Sequence, residues 1–166
     1  MDQQFKTFRI RDWQPCDRQA AAALIRDVLV EYGLPWQPET ADRDVLEVET
    51  AYLDRSGQFW VIEQQQGQIF GTAAFQPIAR GNNAVEIRKM YLHPTIRGQG
   101  LGRFLLGCLE QTIQTQGFGE IWVETATCLT AAVQLYERSG YEAATGVETE
   151  RCDRVYRKVL PRNPEF

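Results

Sequence analysis

Hydrophobic residues alternate with polar ones in several short stretches of the chain, the pattern that predicts half-buried β-strands. We assign strands to residues 8–11, 59–62, 69–75, 121–123 and about 154–160. A polar hairpin around Gly67 is expected to join the second of these strands to the third.

Other stretches have apolar residues at intervals of three and four, which predicts amphipathic helices. The first helix follows Asp17, which we expect to cap it, and ends at Gly33. An acidic helix is predicted over about residues 42–53. A long helix is predicted to begin near Leu101, and a shorter one covers residues 129–138.

The order of these elements predicts one mixed domain. Two early helices and a central hairpin are followed by alternating strands and helices, which is typical of an α/β or α+β fold. The chain has 166 residues, the length of a single domain with a sizeable core. We expect residues 1–166 to form one domain, with a mixed central sheet of about six or seven strands and about four helices.

The strand predicted over residues 85–92 contains a shift in its pattern. Val85 and Ile87 keep one phase of the alternation, whereas Met90 and Leu92 keep the other. A β-bulge produces such a shift, because its extra residue changes the phase of every later side chain. The alternative is a regular strand in which Tyr91 continues the first phase.

Composition and charge narrow the class of protein. Apolar residues make up 43% of the chain and charged residues 24%, as in an ordinary globular domain. The 18 basic and 22 acidic residues give a net charge of −4, so we do not expect nucleic acid as a partner. No apolar run approaches the length that spans a membrane, and the first residues lack a signal-peptide pattern. We therefore expect a cytoplasmic protein with no membrane partner.

The charged residues are unevenly distributed along the chain. Residues 39–54 hold six acidic side chains and one basic one, whereas the charges of residues 86–103 are mostly basic. The first segment could attract a cation and the second an anion. The alternative is two solvated faces of opposite sign.

Histidine and cysteine are too sparse for metal or triad chemistry. His93 is the single histidine and the four cysteines are widely separated, so the spacing of a zinc site is missing. Neither Ser56 nor Ser139 lies in a nucleophile-elbow sequence that could use His93. We expect no metal site.

A glycine-rich loop follows the strand with the shifted pattern and opens the long helix. Its sequence is Arg97-Gly98-Gln99-Gly100-Leu101-Gly102-Arg103. Alternating glycines remove Cβ atoms from one side of the turn, so a ligand can reach the backbone. The first N–H groups of a helix attract phosphate. The loop is predicted to bind a phosphate, although it fits neither the Walker nor the Rossmann pattern; the alternative is a tight turn without a ligand.

Two segments resemble the GCN5-related N-acetyltransferase (GNAT) family. In the loop, Arg97, Gly100 and Gly102 match the family signature Gln/Arg-x-x-Gly-x-Gly/Ala. Residues 132–141, Ala-Val-Gln-Leu-Tyr-Glu-Arg-Ser-Gly-Tyr, are similar to the family block Ala-x-x-Leu-Tyr-x-x-x-Gly-Phe. The resemblance is strong over residues 86–141 and diffuse before them.

The resemblance implies a GNAT-like fold with a bulged and splayed central strand, and acetyl-CoA as co-substrate. It divides the domain into an acceptor-side part (1–84), the acetyl-CoA-binding motifs (85–141) and C-terminal strands (142–166). The pyrophosphate would lie on the glycine loop and the pantetheine arm along the bulged strand, where a backbone N–H could polarise the thioester carbonyl. The implied donor-binding residues are Met90, Tyr91, Leu92, Arg97, Gly98, Gln99, Gly100, Leu101, Gly102 and Arg103.

The resemblance also implies two catalytic residues. Glu86 lies where family members carry a carboxylate general base, and Tyr136 lies where a tyrosine protonates the departing CoA sulfur. The residues themselves leave alternatives, since Glu86 could pair with Arg88 and Tyr136 could be an ordinary core residue. Leu129 stands where many members have asparagine, so an amide contact to the cofactor arm is lost or supplied elsewhere.

The implied activity is transfer of acetyl from acetyl-CoA to a primary amine of a small molecule or peptide, directly in a ternary complex. Cys128 is interpreted as a small apolar residue, so no acetyl-cysteine intermediate is expected. Trp36, Tyr52 and Trp60 are candidates for the wall of the acceptor pocket, although Trp60 is also typical of a core strand. The alternatives are a non-catalytic acyl-CoA-binding sensor or interaction module and an enzyme for longer acyl groups. Monomer and homodimer are both compatible with the sequence.

Overall fold

The computed structural model describes residues 1–64 and 67–161, and one mixed sheet of eight strands forms its centre. The six predicted strands are therefore joined in a single sheet, with one further strand at each edge. The strands are β1 (Asp2–Phe5), β2 (Phe8–Asp12), β3 (Gln58–Gln64), β4 (Gln68–Ile78), β5 (Ala84–Leu92), β6 (Glu120–Thr125), β7 (Glu142–Ala144) and β8 (Arg154–Val159).

Strand order across the sheet is β1-β2-β3-β4-β5-β6-β8-β7. Strands β5 and β6 are parallel and the other neighbouring pairs are antiparallel. Five helices pack against the sheet, and none in the described ranges is long and apolar enough to cross a bilayer. The helices are α1 (Arg18–Glu31), α2 (Arg43–Leu46), α3 (Val48–Ala51), α4 (Leu101–Thr115) and α5 (Thr130–Arg138).

Two hydrophobic cores lie on opposite faces of the sheet. The first contains the buried side of α4, with Leu105 and Leu109, and Tyr136 of α5. The second contains Ile25 of α1 and Val48 of α3. Residues of one strand alternate between the two cores, as the pleat of a sheet requires. The mixed α/β fold predicted from the sequence is confirmed, with helices on both faces.

The sheet has more strands than the predicted six or seven, and the acidic helix is divided. Strands β1 and β7 lie at the two edges of the sheet and are mostly exposed, so their sequences lack the alternation of a half-buried strand. The acidic segment forms two one-turn helices, because Glu47 between them has non-helical φ and ψ of −125° and 46°. Residues 65–66 of the predicted hairpin turn, and residues 162–166 of the C-terminal part, lie outside the described residues.

Asp17 precedes α1 as expected but does not cap it through its side chain. Its carboxylate accepts hydrogen bonds from the backbone N–H of Gln14 at 2.8 Å and from Arg11 at 2.7 Å. Asp17 therefore ties the start of α1 to strand β2 instead of satisfying the first turn of the helix.

Candidate active site

A β-bulge interrupts strand β5, as the shifted pattern predicts. Thr72 of β4 is paired with Tyr91, whereas Ala74 is paired with Arg88, so two residues of β5 face one residue of β4. Lys89 in the bulge has a positive φ of 51°, which is uncommon for a residue with a side chain. The bulge keeps the apolar side chains of β5 on one core: Val85, Ile87, Met90 and Leu92 all contact the α4 and α5 side.

Strands β5 and β6 separate immediately before the bulge. Their pairing begins at Ala84 with Glu120 and ends at Ile87 with Val123. A cavity of about 320 Å³ lies between the separated ends and extends to the glycine-rich loop. The bulge causes this opening, since it bends β5 away from its neighbour. The predicted residues that line the cavity are Met90, Tyr91, Leu92, Arg97, Gly98, Gly100, Gly102, Arg103 and Tyr136.

The glycine-rich loop has the backbone of an anion cradle. Gly98 and Gly100 have φ of +74° and +86°, which glycine adopts without strain. Gly100 precedes α4 without a side chain that could satisfy the first N–H groups of the helix. These N–H groups are therefore free to bind phosphate oxygens. Arg103 in the first turn is exposed and adds positive charge at the same end of the cavity.

Three predicted donor-binding residues, Arg97 among them, have contacts that limit what their side chains can offer a ligand. Arg97 donates to the Leu92 carbonyl at 2.9 Å and to Glu31 at 2.7 and 2.8 Å, so its guanidinium fixes the loop to β5 and α1. Leu101 is 1% exposed, within the core, and only its backbone could face a ligand. Gln99 is not among the cavity-lining residues of the described chain; its carbonyl accepts from Lys6.

Tyr136 lies at the inner end of the cavity, on the buried side of α5. Burial raises the pKa of its phenol well above the ordinary value, so the hydroxyl is protonated at neutral pH. That hydroxyl donates only to the thioether sulfur of Met90, at 3.8 Å, and a thioether is a weak acceptor. The O–H is thus a proton donor without a strong partner in the described chain.

Glu86 is held on β5 one residue before the strands separate. Burial raises the pKa of its carboxyl above the ordinary value, while the charge of Arg88 acts in the opposite direction. The closest approach of the two side chains is 3.9 Å, longer than a hydrogen bond. Glu86 does not line the cavity itself, so a reaction there would reach it through a water molecule.

The structure does not bring the three predicted acceptor aromatics together. Tyr52 and Trp60 are fully buried and lie in different cores, on opposite faces of the sheet. Tyr52 donates a hydrogen bond to Asp44, and Trp60 donates to Gln58. Trp36 is half-buried against the same core as Tyr52. None of the three lines the cavity described above.

Most acidic side chains of the segment 39–54 are paired with basic side chains, which reduces the negative charge that the sequence offers to a cation. Asp42 is fully buried between Lys89 and Arg151, at 2.6 Å from each. Burial alone would raise the pKa of Asp42, but the hydrogen bonds from Arg151 and the charge of Lys89 hold it below the ordinary value. Glu47 and Glu49 also pair with arginines, Arg43 and Arg18.

Several cavity-lining residues were missed by the sequence analysis. Arg88, Lys89 and Glu124 lie on β5 and β6, while Arg151 and Cys152 come from the loop after β7. The first three lie on the bulged strand and on the parallel strand beside it, so their place next to the shifted pattern was a signal in the sequence. The loop residues carry no pattern, because only tertiary folding brings them to the sheet.

Cys152, and not Cys128, is the cysteine that lines the cavity; Cys128 is exposed. Burial raises the pKa of the Cys152 thiol to about 11. The thiol is therefore neutral at pH 7, and a neutral thiol is a poor nucleophile.

The site is thus a sheet opened at a bulge, beside a glycine-rich loop at the start of α4. Comparison with known proteins gives the family. The model described as "Acetyltransferase (GNAT) family" matches residues 21–141. The chain therefore belongs to the GNAT acetyltransferase family.

Similar proteins agree with this assignment. The chain is 33% identical over 129 residues to the uncharacterized N-acetyltransferase YjgM of Escherichia coli, with 76% of this chain and 77% of that protein covered. A GNAT-family acetyltransferase from Staphylococcus aureus Mu50 has the same fold, with a TM-score of 0.86 and 20% identity over 93% of this chain and 99% of that one. A phosphinothricin acetyltransferase from Sinorhizobium meliloti, solved in complex with acetyl-CoA, aligns with a TM-score of 0.73 and 20% identity over 96% of this chain and 92% of that one.

Proposed function

We propose that the protein transfers the acetyl group of acetyl-CoA directly to a primary amine of a small molecule or peptide, in a ternary complex. The observation that carries the proposal is the continuous cavity, which runs from the glycine-rich loop to Tyr136 between β5 and β6. Phosphates on the loop would direct the rest of the donor along the opened edge of β5. The thioester would then lie near the bulge, within reach of groups from both faces of the sheet.

The two candidate catalytic residues approach this point from opposite faces. The amine nitrogen attacks the carbonyl carbon of the thioester, and Glu86 takes the amine proton through a water molecule. A backbone N–H at Met90 or Tyr91 stabilises the oxyanion. The C–S bond then breaks, and Tyr136 gives its proton to the CoA sulfur. Solvent returns the proton from Glu86 to Tyr136, so the products are the acetylated amine and CoA as a thiol.

The neutral Cys152 favours this direct route over an acetyl-cysteine intermediate. A thioester exchange would need a thiolate, and the pKa of about 11 leaves almost none at pH 7. Initial rates measured at varied concentrations of both substrates should give intersecting lines. Parallel lines, together with an acetyl group found on Cys152 by mass spectrometry, would contradict direct transfer.

An amine panel tests the activity itself. The purified protein is mixed with acetyl-CoA and with amino acids, polyamines, aromatic amines or peptides, and release of the CoA thiol is followed with a thiol reagent. We expect turnover with at least one class of amine. Binding of acetyl-CoA without turnover on any of them would indicate the acyl-CoA sensor instead. Repeating the assay with propionyl- and succinyl-CoA determines the acyl preference.

A further inference from the structure

Charged side chains surround the bulge on the face of the sheet that carries α1, α2 and α3. Arg88 and Glu124 alternate with Ile87 and Val123, which belong to the opposite core, and so project toward this face. Arg88, Lys89, Glu124 and Arg151 all line the cavity. An acceptor that approaches the thioester from this face would meet these charges first.

Most of these charges are already neutralised within the protein. Lys89 and Arg151 both bind Asp42 at 2.6 Å. Glu124 accepts hydrogen bonds from the backbone N–H groups of Glu148 and Thr149, at 2.7 and 2.8 Å. It also accepts one from Arg80 at 3.1 Å. These groups fix the loop after β7 against the sheet and are not available to a ligand.

Arg88 differs from its charged neighbours. Its nearest carboxylate oxygens belong to Asp44 at 3.7 Å and Glu86 at 3.9 Å, both longer than a hydrogen bond. Among the described residues, the group in close contact with Arg88 is uncharged: the Gln76 amide oxygen can accept a hydrogen bond from Nη1 at 3.0 Å. The side chain is 25% exposed and faces the cavity. A guanidinium has five N–H donors in a planar fork that matches a carboxylate.

Glu86 and Arg88 carry opposite charges but lie too far apart to hydrogen-bond to each other. Because Oε2 of Glu86 and Nη1 of Arg88 are 3.9 Å apart, neither group satisfies the other. An α-amino acid carries an ammonium and a carboxylate on one Cα, so one small molecule presents both complementary charges. We propose, on the basis of the acetyl transfer proposed above, that the acceptor is an α-amino acid whose carboxylate binds Arg88 while its amine faces Glu86.

The same observations argue against a polycationic acceptor. A polyamine would need several exposed carboxylates along its length, but Asp42 and Glu124 are buried and fully bonded. Arg88 would also repel a second ammonium group. Of the acidic segment that suggested a cation site in the sequence, the buried Asp42 is therefore part of the internal structure of the acceptor face.

Matched acids and amides test the proposal. The protein is assayed with acetyl-CoA and each of the common L-amino acids, with the corresponding amino acid amides, and with spermidine. An amide keeps the amine and side chain but lacks the carboxylate, and its amine loses a proton more readily. It should therefore be the better substrate unless the carboxylate is bound. We expect kcat/KM to be about 30-fold or more higher for the acid, the effect of one charge-paired contact.

Substitutions of Arg88 assign the preference to this residue. In Arg88→Gln we expect the ratio of kcat/KM for acid over amide to fall by about 30-fold or more, and in Arg88→Lys to fall less, because one charge remains without the fork. Arg26→Gln is the control, since Arg26 is exposed and pairs with Asp27 away from the cavity. Its ratio should equal that of the unmodified protein. Thermal melting checks that each variant is folded.

Each outcome decides between the two proposals. Equal or better acetylation of amides or spermidine by the unmodified protein would overturn the amino acid acceptor and leave the acetyl transfer standing, even if Arg88→Gln does not fold. A ratio unchanged in a folded Arg88→Gln would also overturn it. If acetyl-CoA binds but no amine is acetylated, the proposed function fails and the acceptor proposal fails with it.

Discussion

Glu86 is a carboxylate whose surroundings suit it to accept a proton. Burial raises its pKa, and a base is most effective when its pKa lies nearer the working pH. We expect Glu86→Gln to lower kcat/KM by about 10²–10⁴-fold, with partial recovery at high pH, where more of the amine is already neutral. Rates are measured across a pH series.

The pH profile has a defined direction. A raised pKa keeps Glu86 protonated, and inactive as a base, to a higher pH than an ordinary glutamate. The acid limb of kcat/KM in the unmodified protein should therefore lie above pH 4.5, the ordinary value for this group. Glu142→Gln makes the same charge change at an exposed site and should retain the profile. A normal rate for Glu86→Gln at pH 7 would remove Glu86 from the mechanism.

Tyr136 can be tested against a neighbouring tyrosine of the same core. Tyr136→Phe removes one hydroxyl, whose only hydrogen bond in the described chain is to the thioether of Met90, so folding should change little. We expect the rate to fall by about 10–10³-fold through loss of the acid. Steady-state rates and thermal melting are the two measurements.

Tyr141→Phe is the matched control. The two rings are 5.5 Å apart, but the buried Tyr141 hydroxyl has no hydrogen-bond partner in the described chain and does not line the cavity. Its removal should leave the rate unchanged and stability equal or higher. If both variants turn over normally and Tyr136→Phe melts at lower temperature, Tyr136 is a core residue.

At the scale of an element, the junction of the glycine-rich loop with α4 is the feature to test. Gly100 has φ of +86°, and alanine there costs about 1–2 kcal/mol and distorts the phosphate cradle. Gly117, at the other end of α4, has φ of +87° and open space around a Cβ. Alanine at the two positions should cost similar stability. We expect only Gly100→Ala to weaken acetyl-CoA binding, by about tenfold or more, measured by calorimetric titration; equal affinities would contradict the phosphate-binding role.

Elements differ in how well their sequences predict them. The half-buried β5 has a strong alternation, so even its bulge is visible at Val85, Ile87, Met90 and Leu92. Edge strands β1 and β7 are exposed and carry no such signal. The course of the acidic segment is also held by a tertiary contact, since Asp42, just before α2, binds Lys89 of β5. No periodicity records a requirement of that kind.

At the scale of the whole molecule, Asp42 joins its own segment to two distant parts of the chain. It binds Lys89 of the bulge, Arg151 of the loop after β7 and the backbone N–H of Gln37. Asp42→Asn would leave the buried Arg151 without its carboxylate and Lys89 with Asp44 at 3.2 Å, which we expect to lower the free energy of unfolding by about 3–5 kcal/mol. Urea denaturation measures this loss. Asp27→Asn, at an exposed ion pair, should change stability by less than about 0.5 kcal/mol.

The pH dependence of stability provides a second check on Asp42. Its pKa is lowered in the folded protein, so its contribution is fully present above the ordinary pKa of aspartate. The contribution is lost as pH falls through the lower, folded value. Asp42→Asn should remove this part of the acid dependence. An unchanged acid limb would show that Asp42 does not control it.

The candidate site is less predictable from sequence than the fold. Loop and bulge are local features, so Gly98, Gly100 and Met90 could be singled out from the sequence, and all three line the cavity. Arg88 and Cys152 meet there only through the packing of β5 against a loop that comes some 60 residues later. The aromatics predicted for the acceptor wall do not meet, because the pleat places Trp60 on the opposite face from Tyr52.

The separation of β5 and β6 after Ile87 and Val123 leaves the edge of β5 over residues 88–92 without a partner strand on that side in the described chain. Backbone amides on the opened edge exchange with solvent deuterium until a bound molecule covers them. The pantetheine arm, with amide groups of its own, would serve there as a temporary strand. Donor binding should then slow deuterium uptake along the opened edge of residues 88–92 and stiffen the two halves of the sheet into one body. If the exchange slows in this way, the substrate is briefly a structural part of the protein that consumes it.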